Sequence, residues 1–510
     1  MLVQDFLHGS VARYPDKTAL VCAGRRLTYA EVDSMANRLA NAMLAAGLQR
    51  GDRVVIYLNN SVEAVTSIMA TLKAGGVFVV ANPETKLDKL VHIIDDSSAT
   101  FLVSDSKKAP LIQQVLLRTR SVRCTVYCGE PAALAGGAAD RSLDFAHIQA
   151  AYPDSRPPQN NIDLDLACLI YTSGTTGDAK GVMSDHSNVV FAVNSITEYL
   201  DNVPEDIVID ALPLSFDYGL YQLLMTFSFG GTLVLERSFA YPAQILRTIE
   251  RERVTGFPCV PTMFAMLIRL DLSPYDLSSV RYLTNTAAAL PPEHVAEIRA
   301  KLPMATLFLM YGLTETKRTL YLPPAQLDIR PSSVGIPIPG TEAWVEDEAG
   351  NRLGAGQVGE LVVRGRHVMR GYWRSLDATA RRFRPGLLPG ERVCYTGDRF
   401  RMDEEGYFYF VGRMDDIIKS RGEKVAPREV ESVLYGLKGV VEAAVIGVPD
   451  PVLGEAIKAF VVSRDAQLSE RAVLAHCRAH LEELKVPRFV EFRDELPKTE
   501  SGKIKKTDLR

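Results

Sequence analysis

Short apolar runs alternating with amphipathic stretches constrain the fold of this chain more than any other feature. Arg53-Val54-Val55-Ile56-Tyr57-Leu58 is a compact run of buried-strand type. Before it, Thr28 and Glu31 stand at capping-box spacing and predict a helix through Ala45. After it, Asn60 is placed to cap a helix that ends at Gly75-Gly76, where glycine takes the left-handed geometry of a terminus. Val77-Phe78-Val79-Val80 reads as the next strand. Such alternation predicts an α/β fold of parallel sheets covered by helices. At 510 residues the chain exceeds one ordinary core, so two or more domains are expected.

The last hundred residues change character. A helix is predicted over 427–437, with proline in its first turn, and another over 469–484. Residues 440–448, 457–462 and 489–492 are strand-like, which predicts a small α+β unit beginning near Gly412-Arg413-Met414-Asp415. Residues 130–165, rich in Ala, Gly, Pro and polar side chains, are expected to wander over the surface before a strand at 166–171.

A net charge of -4 gives no strong field toward nucleic acid. Seven scattered cysteines fit a reducing, cytoplasmic compartment better than a disulfide framework. No apolar run is long enough to predict a transmembrane helix, and the first residues do not read as a signal peptide. Cys124 and Cys128 form a lone pair, and His476 with His480 lacks a third ligand, so no zinc site is expected.

The strongest local signal is Tyr171-Thr172-Ser173-Gly174-Thr175-Thr176-Gly177-Asp178-Ala179-Lys180-Gly181. Glycine lets backbone approach a ligand closely. Amides and hydroxyls can donate to phosphate oxygens, and Lys180 adds positive charge. Ala179 before Lys180 breaks the P-loop spacing. Composition alone also allows a surface loop of small polar residues.

This stretch is similar to the phosphate-binding loop of the adenylate-forming superfamily: acyl-CoA synthetases, firefly luciferase and nonribosomal peptide adenylation domains. Further motifs recur in that family's order. They are Leu72 to Gly76, Tyr311-Gly312-Leu313-Thr314-Glu315, Tyr395-Thr396-Gly397-Asp398, Gly412 to Asp415, Gly422 to Glu431, and Pro497 to Ile504. The resemblance implies a large multi-subdomain N-terminal domain over 1–411, a hinge at 412–415 and a small mobile α+β lid over 416–510. It implies ATP-dependent formation of an acyl-AMP and pyrophosphate, then of a thioester with CoA or a carrier-protein phosphopantetheine. Mg²⁺ accompanies the nucleotide.

The same resemblance implies roles. Lys503 is the catalytic lysine, Thr314 bonds the α-phosphate, and Glu315 is the carboxylate near the metal. Thr172, Ser173, Gly174, Thr175, Thr176 and Lys180 hold phosphates. Tyr311 offers adenine an aromatic face, and Asp398 and Arg413 reach the ribose. Asp415 is the hinge residue, and Arg421 and Gly422 line a thiol tunnel. Phe216, Asp217, Gly219, Ala287 and Ala288 fall in segments that wall the acyl pocket.

Asp217 leaves the substrate open. Amino-acid-activating members carry Phe-Asp at this point, the aspartate pairing with the substrate ammonium, and they load a carrier protein. Tyr218-Gly219 departs from that pattern, which favours a simple acyl or aryl acid with Asp217 bonding local backbone at a helix start. A non-catalytic nucleotide-binding protein of the same fold is the alternative of a different class. Joint retention of Lys503, Glu315, Asp398 and the Thr/Ser/Gly loop argues against it.

Overall fold

The computed structural model describes residues 1–130, 142–172, 179–416, 418–420, 423–450, 454–465, 467–499 and 502–509. Among them, a seven-stranded and a nine-stranded sheet dominate. In the first, strand Arg53–Tyr57 lies between Val77–Val80 and Phe101–Asp105, all parallel, and only Lys180–Asp185 at one edge runs antiparallel. The second has a parallel centre that includes Ile207–Asp210, Gly256–Cys259, Tyr282–Asn285 and Thr306–Tyr311.

Helices Tyr29–Ala45, Val62–Lys73, His186–Tyr199 and Asp217–Phe229 contribute to one core with strands of both sheets. Every residue of Val62–Lys73 except Glu63 is buried, as a helix that is apolar on all sides requires. The one cation within it is matched: Lys73 Nζ donates to Asp33 Oδ1 at 2.6 Å and to Asn37 Oδ1 at 2.8 Å.

The expected capping box is present, with Thr28 and Glu31 satisfying each other's backbone amides. The cap of Val62–Lys73 is Ser61 rather than Asn60, whose side-chain amide instead donates to the carbonyls of Leu212 and Glu236. The segment expected to wander adds edge strand Ser142–Asp144 and helix Phe145–Ala151, the latter capped by Asp144. The second C-terminal helix is shorter than predicted, Glu470–His480.

An antiparallel five-stranded sheet follows, in which Arg392–Met402 pairs with Val358–Arg364 and with Phe408–Arg413. A short turn, Met414–Asp416, leads to Ile418–Ser420, which already belongs to a separate C-terminal sheet. The chain thus changes sheets between Arg413 and Ile418. Helices Pro427–Tyr435 and Glu470–His480 cover one face of that sheet around its own core. Among the described residues, no helix is long and apolar enough to cross a membrane.

Candidate active site

Open α/β sheets hold ligands beyond the carboxyl ends of their strands, and Thr172 and Tyr311 each stand at such an end. Strand Thr306–Tyr311 ends on Tyr311, after which the chain folds back on itself. Gly312 is required by that fold: a Cβ there would stand 1.7 Å from the Lys317 carbonyl oxygen. Lys317 itself holds φ at +55°, a left-handed conformation unusual for a long side chain. The turn presents Thr314 and buries Glu315, whose Oε1 accepts a hydrogen bond from the Tyr372 hydroxyl. Lys180 Nζ lies 5.8 Å from the centre of the same tyrosine ring. Thr172 and Lys180 face each other across a hairpin, so both ends of the predicted phosphate loop meet at one place. Ser173, Gly174, Thr175 and Thr176 lie outside the described residues.

Asp398 and Arg413 are cross-strand partners, with Arg413 Nε 3.3 Å from Asp398 Oδ1. The Tyr311 hydroxyl donates to Oδ2 at 2.7 Å. Burial raises the Asp398 pKa, and Arg413 and Tyr311 oppose that shift. Oδ1 is buried and, beside its ion pair with Arg413, accepts no hydrogen bond from a described residue, so it retains capacity to accept one from a ligand hydroxyl. Tyr311, expected only as an aromatic face, therefore also braces the carboxylate. Its ring packs edge-on to Phe400 at 4.9 Å.

The C-terminal unit reaches into this cleft. Thr499 and Lys503 close a tight turn through Thr499 N to Lys503 O at 2.7 Å. Gly502, at φ +78°, lies so near Thr262 that a Cβ would stand 2.8 Å from its hydroxyl. The Tyr435 ring meets His294 edge-on at 6.0 Å, and Arg428 covers Phe410. Lys503 is thereby held among Asp217, Arg413, Asp398 and Glu315, which lie far apart in sequence. Desolvation between these walls lowers its pKa, and the three carboxylates oppose the shift. The residue retains accessible surface, so the walls crowd the ammonium without sealing it.

On the acyl side, Asp217 does not form the expected bond to local backbone. Asp217 opens helix Asp217–Phe229 but caps nothing, and its carboxylate lies within electrostatic reach of Lys317 and Lys503. Gly219 answers a packing need, because a Cβ would stand 2.6 Å from the Pro213 carbonyl. Phe216 sets its ring edge-on to Tyr218 at 6.3 Å. Ala287 adopts φ +77°, and the exposed Ala288 accepts from Asn285 Nδ2 at 3.1 Å. Asp415 sits in the turn between the two units, whereas Arg421 and Gly422 lie outside the described residues.

Sequence reasoning missed Tyr372 and Arg382. Arg382 is within electrostatic reach of Glu315 and donates to the Tyr395 carbonyl at 3.1 Å. Neither residue belongs to a motif with diagnostic spacing, and only tertiary contact reveals them. Among the described residues, no cluster of three or more His, Cys, Asp or Glu could hold a metal by itself. A single carboxylate with one uncommitted oxygen, as at Glu315, still suits Mg²⁺, which takes one or two carboxylates and completes its shell with phosphate and water.

The family model described as AMP-binding enzyme matches residues 7–373, and that of the AMP-binding enzyme C-terminal domain matches 429–503. A long-chain-fatty-acid–CoA ligase of Bacillus subtilis (strain 168) is 33% identical over 531 residues, covering 98% of this chain and 93% of the relative. A feruloyl-CoA synthase of an Amycolatopsis species is 36% identical over 502 residues, covering 97% and 96%. Among solved structures, the anthranilate CoA ligase AuaEII in complex with anthranoyl-AMP superposes with a TM-score of 0.92 at 30% identity, covering 100% of this chain and 96% of that one. ATP-bound MatB from Rhodopseudomonas palustris superposes at 0.89 with 31% identity, covering 100% and 98%. The chain belongs to the AMP-binding enzyme family and is an ATP-dependent, AMP-forming ligase that activates a carboxylate as its acyl-adenylate and passes the acyl group to CoA.

Proposed function

We propose that the described cleft carries out adenylation with Lys503 as the cation that joins the attacking carboxylate to the α-phosphate, on an acid that lacks an ammonium group. The observation that carries this reading is the convergence of Lys503, delivered from the C-terminal unit, with Asp398, Arg413, Glu315 and Asp217. Attack of a carboxylate on a phosphate brings two anions together, so catalysis depends on charge neutralisation and positioning.

Each residue answers one of those needs. Thr314 donates to the α-phosphate. Thr172, Lys180 and the intervening loop, with Ser173, Gly174, Thr175 and Thr176, hold the remaining phosphates. Asp398 accepts from the ribose through Oδ1, which takes no other hydrogen bond from a described residue, and the ion pair of that oxygen with Arg413 keeps the carboxylate ionised. Tyr311 lies against adenine, and Ala287 and Ala288 stand between nucleotide and acyl group. Mg²⁺ held by Glu315 and phosphate oxygens would neutralise charge on the nucleotide. Phe216, Asp217 and Gly219 belong to the segment that borders the acid.

Asp217 already faces two lysines of the chain itself, which leaves no call for a substrate ammonium. The acid is thus of the acyl or aryl class, the classes named for the feruloyl-CoA synthase and the fatty-acid ligase. The large domain spans 1–411, and 416–510 form a lid that turns about 412–415, with Asp415 as hinge. After adenylation the lid turns to bring Arg421 and Gly422 toward the pantetheine thiol. A carrier-bound phosphopantetheine presents the same thiol as CoA and is tested beside it.

Pyrophosphate exchange over a panel of acids tests the reading, with thioesters read by mass spectrometry. Exchange that depends on an acyl or aryl acid, followed by a CoA thioester, is expected. Exchange confined to α-amino acids would overturn the proposed acid class.

A further inference from the structure

Two adjacent cations behind the adenylation residues have no counterpart in the reaction as derived so far. Lys317 and Arg318 are 1% and 2% exposed. Neither side chain makes a hydrogen bond to a described residue, and Lys317 Nζ and Arg318 Nε are both buried and unpartnered. The Tyr221 hydroxyl is buried and unpartnered beside them.

The three belong to one place. The Arg318 guanidinium lies 4.5 Å from the centre of the Tyr218 ring and 6.0 Å from that of Tyr221, while Lys317 Nζ lies 5.6 Å from the Tyr221 ring. Both tyrosines stand on the helix that begins at Asp217. Aromatic faces attract the cations but accept none of their N–H bonds in line. The Tyr218 hydroxyl is already engaged with Thr284, so it offers no relief.

Native proteins rarely leave such groups alone. A buried ion without a partner is costly, and each unsatisfied donor needs an explanation. Asp217 and Glu315 lie within electrostatic reach of Lys317, but among the described residues neither forms a direct ion pair with Lys317 or Arg318. The backbone spends strain to put them there, through the left-handed φ of Lys317 and the obligatory Gly312 against its carbonyl. Water could accept some of these N–H bonds but would not neutralise the charge.

We propose that Lys317, Arg318 and Tyr221 form an oxyanion subsite in the acyl pocket, so that the preferred acid carries a second anionic group besides the carboxylate that is adenylated. A guanidinium, an ammonium and a phenolic hydroxyl are all donors and suit a carboxylate, sulfonate or phosphate oxygen. A neutral alkyl or aryl tail would leave all three unpaired, which is how a polar pocket rejects an analogue lacking the group it was built to bind. This rests on the reading that helix Asp217–Phe229 borders the acid.

The test is acid-dependent pyrophosphate exchange on matched pairs over a graded series of lengths. Each pair is a monocarboxylate and the same skeleton bearing a second carboxylate, with sulfonate and phosphate counterparts to identify the oxyanion. The wild type should favour the doubly anionic member by at least about tenfold in kcat/KM. Arg318→Gln and Lys317→Met should each collapse that ratio, and Tyr221→Phe should reduce it severalfold. A wild-type ratio at or below one, unmoved by the three variants, would overturn the inference and leave the adenylation reading intact. Absence of exchange with every acid of either kind would overturn both.

A second measurement separates a ligand subsite from a structural pair. If the cations await a ligand, Lys317→Met without acid should melt no lower than wild type, since apolar replacement removes an unpaired buried charge. A marked fall in Tm with an unchanged acid ratio would assign the pair to folding and contradict the proposal.

Discussion

Asp398, proposed to meet the ribose, is set by two neighbours. Tyr311 donates to Oδ2 and Arg413 pairs with Oδ1, which accepts no hydrogen bond from a described residue. Asp398→Asn should therefore weaken use of ATP rather than of the acid. A lost charge-assisted acceptor costs about 1.5–3 kcal/mol, a rise of roughly ten- to a hundredfold in the ATP requirement. Exchange rates titrated against ATP and against acid would separate the two, and a change confined to the acid would contradict the assignment. His186 makes a prediction of a different kind. It accepts from the Val3 amide at 3.1 Å through Nδ1, and burial lowers its pKa to about 4. The unfolded chain binds this proton near pH 6.5, so the contribution is complete above that pH and is lost as pH falls toward 4. Denaturant titrations should show stability dropping in that window by on the order of 3 kcal/mol, with a shallower fall in His186→Gln. Parallel pH profiles would contradict it.

At the scale of elements, the turn after strand Thr306–Tyr311 is the most constrained piece of the site. Gly312→Ala pushes a methyl into the Lys317 carbonyl, and nothing flexible stands there to yield. A loss of about 1–3 kcal/mol in stability is expected, as for other overpacking. Exchange activity should fall further than stability alone explains, because Thr314 and Glu315 ride on the same turn. Wild-type activity in a stably folded Gly312→Ala would contradict this geometry. The same turn shows what sequence made legible. The order Tyr-Gly-Leu-Thr-Glu signalled the site, and the strand–helix alternation signalled the sheets. The roles of Lys317, Arg318, Tyr372 and Arg382 were not legible, because they depend on which helices and strands pack against the turn. Asp217 was read as a cap or a substrate partner, since nothing local to it reveals Lys317 or Lys503, which approach through the fold. The Asn60 cap failed for a similar reason: its amide is drawn to carbonyls of a distant segment.

At the scale of the whole molecule, the proposed mechanism requires the C-terminal unit to deliver Lys503 for the first half-reaction and to withdraw it for the second. The sheets change over between Arg413 and Ile418, which puts Asp415 at the crossing. Asp415→Pro should spare adenylation and slow thioester formation, because proline fixes φ near about -65° and restricts the turn. Equal loss of both half-reactions, measured separately by rapid quench, would contradict a hinge. The central claim is the role of Lys503 itself, and the direct test is to measure both half-reactions in Lys503→Ala. Pyrophosphate exchange should fall by about 10²–10³, the effect of removing one preorganised donor to a developing anion, while transfer from supplied acyl-AMP to CoA stays near wild type. Exchange at the wild-type rate in that variant would contradict the account.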